Sequence, residues 1–312
     1  MRRSGCALEP PDRPAAGAAP TCPLCGRPGR LLHAPTWSAS SSSATDRFAC
    51  TNPHAGEHGP IHWCAGCRVG FAPAAEYAEI AHRYAAVEDV AYLEEEAHRR
   101  THAARVLDFV ERLHRPGQLL EIGSAVGILL DVATQRGWTA RGVEPSRWAV
   151  ETGRRRYGVD LAQGTLEDAD YPPGSIDALV MIDVLEHLVD PLAALARCRP
   201  WLATDGVLIL LTVNMATPVA RVLGTRWPGF MDMHLTYFTP SSLREILRRA
   251  GFAWAAEQPS IRSYQLGYVG GRLRHSGRGL RWLGRVACLP GLRRVPVTLR
   301  TRDLLLVAGR PV

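Results

Sequence analysis

From Gln118 onward, short apolar runs alternate with segments whose apolar residues recur every three or four positions. The apolar runs predict strands at residues 119–122, 139–143, 178–182, 206–213 and 303–308. The other segments predict amphipathic helices that end at Gln135 or span residues 146–157, 191–198 and 241–250. Repeated strand–helix units predict a doubly wound, mostly parallel Rossmann-like α/β sheet with helices on both faces.

The first 117 residues follow other patterns. Residues 1–20 are rich in Pro and Ala and predict a disordered leader. Residues 21–72, the ribbon module, contain two cysteine pairs and too few apolar residues for a core of their own. Residues 73–117 predict a helical segment that caps the substrate site, with helix over 76–114 because Ala103, Val106, Leu107 and Val110 share one face. The main domain is then 118–312, with an arginine-rich insertion at about 264–294.

Charge is distributed unevenly along the chain. The net charge is +7, and all 37 basic residues are arginine. Eleven arginines and one acid lie between Arg262 and Arg310, so the remainder of the chain is close to neutral. A uniform nucleic-acid-binding surface is therefore not expected. No apolar run approaches the roughly 20 residues of a membrane span, and the N-terminus has no apolar signal region, which predicts a cytoplasmic protein.

A glycine-containing turn follows the first predicted strand of the main domain. It contains Glu121, Gly123, Ala125 and Gly127. Glycine permits positive φ and close approach of a ligand to the backbone, so the turn is either a nucleotide-type site or a tight strand–helix connection.

A second acid, Glu144, ends the next predicted strand. A carboxylate there can accept hydrogen bonds from the two hydroxyls of a ribose. Dinucleotide-binding proteins share this geometry, but a pyrophosphate prefers an uncharged cradle, and Glu121 would repel it. The acid at the turn favours a sulfonium cofactor with a cationic ammonium group.

A third set of polar residues follows the strand predicted at 178–182. Asp183, Glu186 and His187 follow that strand directly. The carboxyl ends of parallel strands form the ligand-binding edge of such sheets, so these residues are either part of a site or a solvent-facing helix start.

As a set, these segments resemble the class I S-adenosylmethionine-dependent methyltransferases, in the group that includes ubiquinone O-methyltransferases and sugar C-methyltransferases. The resemblance covers about residues 100–312, and Ala125 replaces the middle glycine of the family's turn. It implies that S-adenosylmethionine is the cofactor, with the ribose on Glu144, the adenine along Leu166 and Glu167, and Asp183 near the methionine end. The residues implied around the methionine part itself are Glu121, Gly123, Ala125 and Gly127.

The resemblance continues through residues 233–252, where the family's connection after the fifth strand helps to cover the substrate. His234, with His187 as the other candidate, would act as the base that removes a proton from the acceptor. The alternative is that His234 only fixes the shape of its loop. Met231 and Met233 stand where some sugar C-methyltransferases have tyrosine and glutamate, which favours O-methylation of a small molecule over carbon methylation.

The cysteine pairs Cys22/Cys25 and Cys64/Cys67 each have the Cys-x-x-Cys spacing of a zinc knuckle. We expect the four thiolates to bind one structural Zn²⁺, with the Ser-rich stretch 38–43 as a flexible insertion. His54, His58 and His62 are alternative ligands. Several methyltransferases of the resembled group carry a similar N-terminal ribbon.

The arginine-rich tail leaves alternatives open. Its apolar residues recur at broadly helical intervals, which is compatible with an amphipathic hairpin against a membrane or lipid-like substrate, or with a helical insertion packed on the domain. An RNA methyltransferase that uses the ribbon and the arginines is a second functional hypothesis. A non-catalytic binding module is the third.

Overall fold

The structure is a computed structural model that describes residues 19–36, 51, 57–73, 84–267, 269–270 and 281–312. The predicted disordered leader up to residue 18, the Ser-rich insertion 38–43 and His54 lie outside the described residues.

The elements are numbered along the chain. Within the described residues the strands are β1 Arg30–His33, β2 Ile61–Cys64, β3 Val69–Phe71, β4 Gln118–Ile122, β5 Thr139–Glu144, β6 Asp160–Gln163, β7 Ile176–Ile182, β8 Leu202–Val213, β9 Thr236–Tyr237, β10 Phe252–Gln265 and β11 Pro296–Pro311. The α-helices are α1 Ala91–Glu94, α2 Glu96–Glu111, α3 Ile128–Gln135, α4 Arg147–Tyr157, α5 Pro191–Cys198, α6 Pro218–Leu223, α7 Pro240–Arg249 and α8 Arg281–Ala287.

Seven of the described strands form the main sheet, in the order β10-β11-β8-β7-β4-β5-β6. The five strands from β6 to β8 are parallel, β11 is antiparallel to them, and β10 is antiparallel to β11. The predicted doubly wound, mostly parallel α/β fold is confirmed. The strand order reverses between β4 and β7, and an open α/β sheet binds its ligands outside the strand ends at such a point.

The centre of this sheet is fully covered on both faces. Residues 178–181 of β7 and 207–211 of β8 are all at most 1% exposed. A strand buried on both faces needs apolar residues at consecutive positions, which is why these two runs were recognisable.

Two strands of the sheet were not predicted. In β6 the side chain of Leu161 is buried and its three neighbours are exposed, so the strand has no apolar run. β10 pairs with β11 along its whole length, but it contains Pro259 and several polar residues. Both strands lie at the edges of the sheet, where burial no longer imposes a pattern.

The predicted helix over residues 76–114 is correct for its second half. Helix α2 buries Ala103, Val106, Leu107 and Val110 on one face, as their spacing indicated. Residues 86–90 are not helical, and residues 74–83 lie outside the described part of the chain.

The ribbon module forms a second sheet, in the order β1-β2-β3-β9. Its last strand, β9, belongs to the connection after β8, so the sheet joins the ribbon to the main domain. Leu24, Val69 and Phe71 are buried in the same cluster as Phe238 and Leu243 of the main domain.

The tail is part strand and part helix. β10 continues to Gln265, where the sequence predicted the start of the insertion, and the chain returns to the sheet at Pro296. Helix α8 leaves Trp282 61% exposed and Val286 42% exposed. Among the described helices, none combines the length and apolar character needed to span a bilayer.

Candidate functional site

A cavity of about 990 Å³ opens where β4, β5 and β7 end. This volume lies at the upper end of the range of small-molecule pockets and can hold a nucleoside cofactor together with a second molecule. Nine of the ten residues predicted for cofactor binding and catalysis line it, namely Glu121, Gly123, Ala125, Glu144, Leu166, Glu167, Asp183, His187 and His234.

Gly127 is the predicted residue that lies behind the cavity lining. It precedes α3 with φ 76°, and a Cβ there would stand 2.7 Å from Val159 Cγ2. The glycine is therefore required by the turn and by packing.

The turn between β4 and α3 has a left-handed backbone at alternate positions. Gly123 has φ 73° and Ala125 has φ 47°. A Cβ on Gly123 would stand 2.4 Å from Val184 Cγ2. Ala125 adopts a conformation that costs a non-glycine residue about 1–3 kcal/mol, and its N–H donates to Glu144 Oε2 at 2.8 Å. Such strain persists where the surroundings hold it, and it is common at ligand sites.

Glu144 is fully buried and accepts hydrogen bonds through both carboxylate oxygens. Oε2 accepts from Ala125 N, and Oε1 accepts from Ser146 N at 2.8 Å. A further hydrogen bond comes from the Tyr84 side chain. Burial outweighs these donors and raises the pKa of Glu144 to about 7.

Glu121 is 4% exposed and lies beside Glu144. Among the residues that the structure describes, its Oε2 has no hydrogen-bond partner. Burial, together with the charge of Glu144, raises the pKa of Glu121 to about 8. A buried acid with an unsatisfied oxygen at a cavity wall is complementary to a cationic ligand group.

Asp183 and the loop at 164–168 form the neighbouring walls. Asp183 has φ 53°, and its N–H donates to the Leu211 carbonyl at 2.8 Å. The loop carries Leu166 and Glu167, whose carbonyls accept from Arg197 at 3.2 and 3.0 Å. Arg197, which the sequence reasoning missed, reaches this loop from α5, 30 positions along the chain from Glu167.

The two histidines lie side by side, with ring centroids 4.8 Å apart. His234 Nδ1 is 2.9 Å from the Gly229 carbonyl, and His187 Nδ1 is 2.8 Å from the Met233 carbonyl. A carbonyl only accepts, so Nδ1 carries the hydrogen in each ring and Nε2 is the basic nitrogen of the neutral form. Burial lowers the pKa of His187 and favours that neutral form.

Glu186 lies next to this pair of histidines. The sequence placed it at the edge of the sheet but indicated no role for it. It is fully buried, and its Oε2 accepts from Thr212 Oγ1 at 2.8 Å. One carboxylate oxygen of Glu186 and one nitrogen each of His187 and His234 lie within 4.8 Å of one another. Oxygen and imidazole donors at this spacing can hold a divalent cation.

The remainder of the cavity is bounded by the connection after β8 and by the segment predicted to cap the substrate site. The connection after β8 contributes mainly apolar side chains: Val219, Leu223, Trp227, Met231 and Met233. The segment around α1 and α2 contributes polar and aromatic side chains: Tyr84, Tyr92, His98, Arg99 and His102.

Comparison with known proteins shows the family to which the chain belongs. Residues 93–257 match the family model described as a methyltransferase domain. The chain belongs to this family. The match spans β4 to β8 and the histidine pair, and ends within β10.

Two curated relatives are ubiquinone biosynthesis O-methyltransferases. That of Xanthomonas campestris pv. campestris (strain B100) is 31% identical over 160 residues, which is 46% of this chain and 66% of the relative. That of Cereibacter sphaeroides is 25% identical over 146 residues, which is 43% of this chain and 59% of the relative. This methyltransferase-family chain thus spans slightly less than two thirds of their length.

A solved complex between the Trm112 methyltransferase activator and a methyltransferase of Haloferax volcanii contains a chain of the same fold. The TM-score is 0.50 at 15% identity, and the match covers 70% of this chain and 91% of that one. At this identity the likeness concerns the fold alone.

The four cysteines of the ribbon module lie before the family match and come together in space. Their sulfur atoms all lie within 4.8 Å of one another, and Cys25 Sγ is 3.7 Å from Cys64 Sγ. A tetrahedral Zn²⁺ with Zn–S bonds of about 2.3 Å has sulfurs about 3.8 Å apart. Burial raises the pKa of Cys22 to about 11, and a bound cation would stabilise its thiolate.

The histidines considered as alternative metal ligands have other contacts where the structure describes them. His58 has its ring nitrogens at 2.6 Å from the Gly59 carbonyl and 3.2 Å from the Thr225 carbonyl. His62 packs against Phe71. The cysteine set is therefore the candidate metal centre in this module.

Proposed function

We propose that this chain transfers a methyl group from S-adenosylmethionine to an oxygen of a small-molecule acceptor. The observation that carries the proposal is the pair of buried acids, Glu121 and Glu144, at the ends of adjacent strands beside a strained glycine turn. The names of the curated relatives support oxygen as the methylated atom.

The residues fit the cofactor in the following way. The unsatisfied oxygen of Glu121 would receive the ammonium group of the methionine part, and Gly123 and Ala125 would allow close approach to the backbone. Glu144 retains lone pairs for the ribose hydroxyls. Leu166 and Glu167 would lie along the adenine, and Asp183 would lie near the methionine end. When bound, S-adenosylmethionine supplies an electrophilic methyl group.

The chain's own residues supply alignment and a base. His234 would accept the proton of the acceptor hydroxyl at Nε2 as the oxygen–methyl bond forms, because Gly229 holds its Nδ1 as the donor. His187 packs against His234 and would keep that ring in place. Alignment of the two reactants in one cavity provides the larger part of the rate enhancement.

Calorimetry with S-adenosylhomocysteine and methyl transfer to catechol and octylcatechol test the proposal. His234→Ala should lower kcat by roughly 10²- to 10⁴-fold, with an unchanged dissociation constant for S-adenosylhomocysteine. His114→Ala, at a histidine that does not line the cavity, is the matched control. A wild-type protein that binds neither S-adenosylmethionine nor its product would contradict the proposal.

A second role for the histidines is favoured by the position of Glu186. Together with His187 and His234 it could bind a divalent cation, and that cation would then contact the acceptor oxygen. Replacing Glu186 with Gln separates the roles. Wild-type activity that requires added Mg²⁺ or Mn²⁺ and is lost in this variant supports the cation, and activity without added metal supports the base.

We also propose that Cys22, Cys25, Cys64 and Cys67 bind one Zn²⁺ within a ribbon module, residues 21–72, that precedes a helical segment, 73–117, and the catalytic domain, 118–312. Four protein ligands fill a tetrahedral ion, so the metal is structural. Inductively coupled plasma mass spectrometry should find about one zinc per chain.

The exposed apolar residues of α8 support peripheral contact with a lipid surface. Trp282 and Val286 of α8, and Leu289 just after it, are exposed near Arg285. Co-sedimentation with vesicles that contain phosphatidylglycerol, compared between wild type and Trp282→Ala, tests this contact. Paired cysteines gathered into a metal set are typical of a reducing compartment, which supports a cytoplasmic location.

A further inference from the structure

Residues 224–239, the covering segment, lie between the cavity and the ribbon module. One side faces the cavity through Trp227, Met231, Met233, His234 and Leu235. The other side lies against the ribbon module.

Backbone hydrogen bonds join the end of the covering segment to the ribbon. Gly70 and Phe71 of β3 pair with Tyr237 and Thr236 of β9. Ala72 N donates to the Leu235 carbonyl at 2.9 Å. These bonds fix the backbone position next to His234.

Side chains make a second junction around Phe230. Its ring packs against those of His33 and His58, with centroids 5.1 and 5.2 Å away. Ile61 of β2 is fully buried in a cluster with Trp227 and Phe230. The ribbon thus contacts both the beginning and the end of the covering segment.

The cysteine cluster lies at the base of the strands that make these contacts. Cys64 is the last residue of β2, and Cys67 comes two residues before β3. Arg68 between them and β3 has φ 54°, and its carbonyl accepts from Thr239 Oγ1 at 2.8 Å. A metal on Cys64 and Cys67 would set the turn that aims β3 at β9.

The inner side of the covering segment is attached to the histidine site. Leu235 N donates to the Glu186 carbonyl at 2.7 Å, and the Met233 carbonyl accepts from His187. A displacement of β9 would therefore move the groups that hold His187 and His234 in position.

The two cofactor acids have most of their contacts elsewhere. Glu121 and Glu144 lie on β4 and β5, and the backbone groups at 125 and 146 that donate to Glu144 belong to the turns of the main sheet. The third donor, Tyr84, packs in a cluster with Met231 and Met233 of the covering segment.

We propose that metal occupancy of the cysteine cluster positions the covering segment, so that acceptor binding requires the metal and cofactor binding does not. The ribbon residues are positioning residues in this arrangement. The proposal rests on the proposed methyltransferase function, and its test separates the two.

Hydrogen exchange of the full-length chain, zinc-loaded and after chelation, measures the position of the covering segment directly. We expect amides in 224–239 to exchange roughly tenfold faster or more without metal. The dissociation constant for S-adenosylhomocysteine should stay within about twofold. With octylcatechol as probe, KM should rise roughly tenfold and kcat should change less.

Variants separate zinc loss from general damage. Cys25→Ser removes an exposed ligand and should reproduce the effects of chelation, whereas Cys288→Ser, in the tail, should keep the zinc and wild-type exchange. Gly70→Val should keep the zinc but push β3 from β9, because a Cβ there meets Met215 Sδ at 2.8 Å and Tyr237 Cβ at 3.2 Å. Gly291→Val, in the tail, is its control, because a Cβ there has no atom within 4 Å.

Unchanged exchange in 224–239 after complete zinc removal would overturn the proposal, as would a large loss of S-adenosylhomocysteine affinity together with general unfolding. Zinc-loaded protein that fails to bind S-adenosylhomocysteine would contradict the proposed function instead. Faster exchange in Gly70→Val with zinc retained would support docking of β3 as the route.

Discussion

At the scale of single residues, the site is defined by two carboxyl groups with different environments. Glu144 is satisfied by backbone N–H groups and Tyr84, whereas Glu121 keeps an oxygen without a partner in the described structure. The first is suited to receive hydroxyl groups of a ligand, and the second is suited to receive a cation. Two measurements separate these roles.

Replacing Glu144 with Ala should weaken S-adenosylhomocysteine binding by about 1–3 kcal/mol, because the ribose hydroxyls lose their acceptor. Isothermal titration calorimetry measures the change. Glu151→Ala, an exposed acid on α4, serves as the control and should leave the affinity unchanged. Equal affinities for wild type and Glu144→Ala would remove Glu144 from the site.

Glu121 should make the free protein less stable as pH rises. Its pKa is raised from 4.5 to about 8 in the folded chain. Between these values the folded state holds a proton that the unfolded state has released, so the free energy of unfolding falls with increasing pH. Urea denaturation across this range should show the decline, and Glu121→Gln should reduce it to the part that the raised pKa of Glu144 contributes.

Cofactor binding should reverse the preference of Glu121 for its protonated form. A bound ammonium group favours the ionised acid, so cofactor binding near pH 7 should release protons. Binding enthalpies in buffers of different ionisation enthalpy measure that release. A release of the same size in Glu121→Gln would show that another group is responsible.

At the scale of elements, the turn between β4 and α3 depends on the backbone conformation at Gly123 and Ala125. Gly123→Ala should destabilise the protein by about 1–3 kcal/mol, because φ is 73° and a Cβ would stand 2.4 Å from Val184. Ala125→Gly should be tolerated, because glycine removes the strain at φ 47°. Thermal denaturation compares the two, and a stability loss in Ala125→Gly as large as in Gly123→Ala would show that strain is not the cause.

The elements that were predicted correctly share one physical reason. β7, β8 and the helices at 147–157 and 191–198 have a buried face or are buried throughout, and burial imposes an apolar pattern that can be read directly. The edge strands β6 and β10 lack this constraint and were missed. β9 was missed for another reason, because two residues carry no periodicity and the strand exists only where the ribbon pairs with it.

The candidate site was predictable wherever its residues follow a strand. The carboxyl ends of parallel strands meet at one edge, so Glu121, Glu144 and Asp183 could be grouped from the sequence. Tyr84 and Arg197 reach the site from helical segments remote in sequence, and only the tertiary structure brings them there. The role of Glu186 likewise depends on Thr212 and on a loop whose path the sequence does not specify.

At the scale of the whole molecule, the ribbon module and the main domain should unfold together. The ribbon has few apolar residues, and those it has, such as Val69 and Phe71, are buried against the main domain. A module without a core of its own gains its stability from the metal and from this contact. Neither part is then expected to show a separate transition.

Phe71→Ala tests this coupling, since the ring is 1% exposed and its loss leaves a cavity in the cluster that joins the two parts. The free energy of unfolding should fall by about 3–5 kcal/mol, and Leu31→Ala, at a site 55% exposed on β1, should have little effect. Zinc release and far-ultraviolet circular dichroism, followed in one urea titration, should give coincident transitions in wild type and in both variants. If zinc were released well before the circular dichroism changed, the ribbon would be an independent unit, and its contact with the covering segment would be too weak to hold His234 in position.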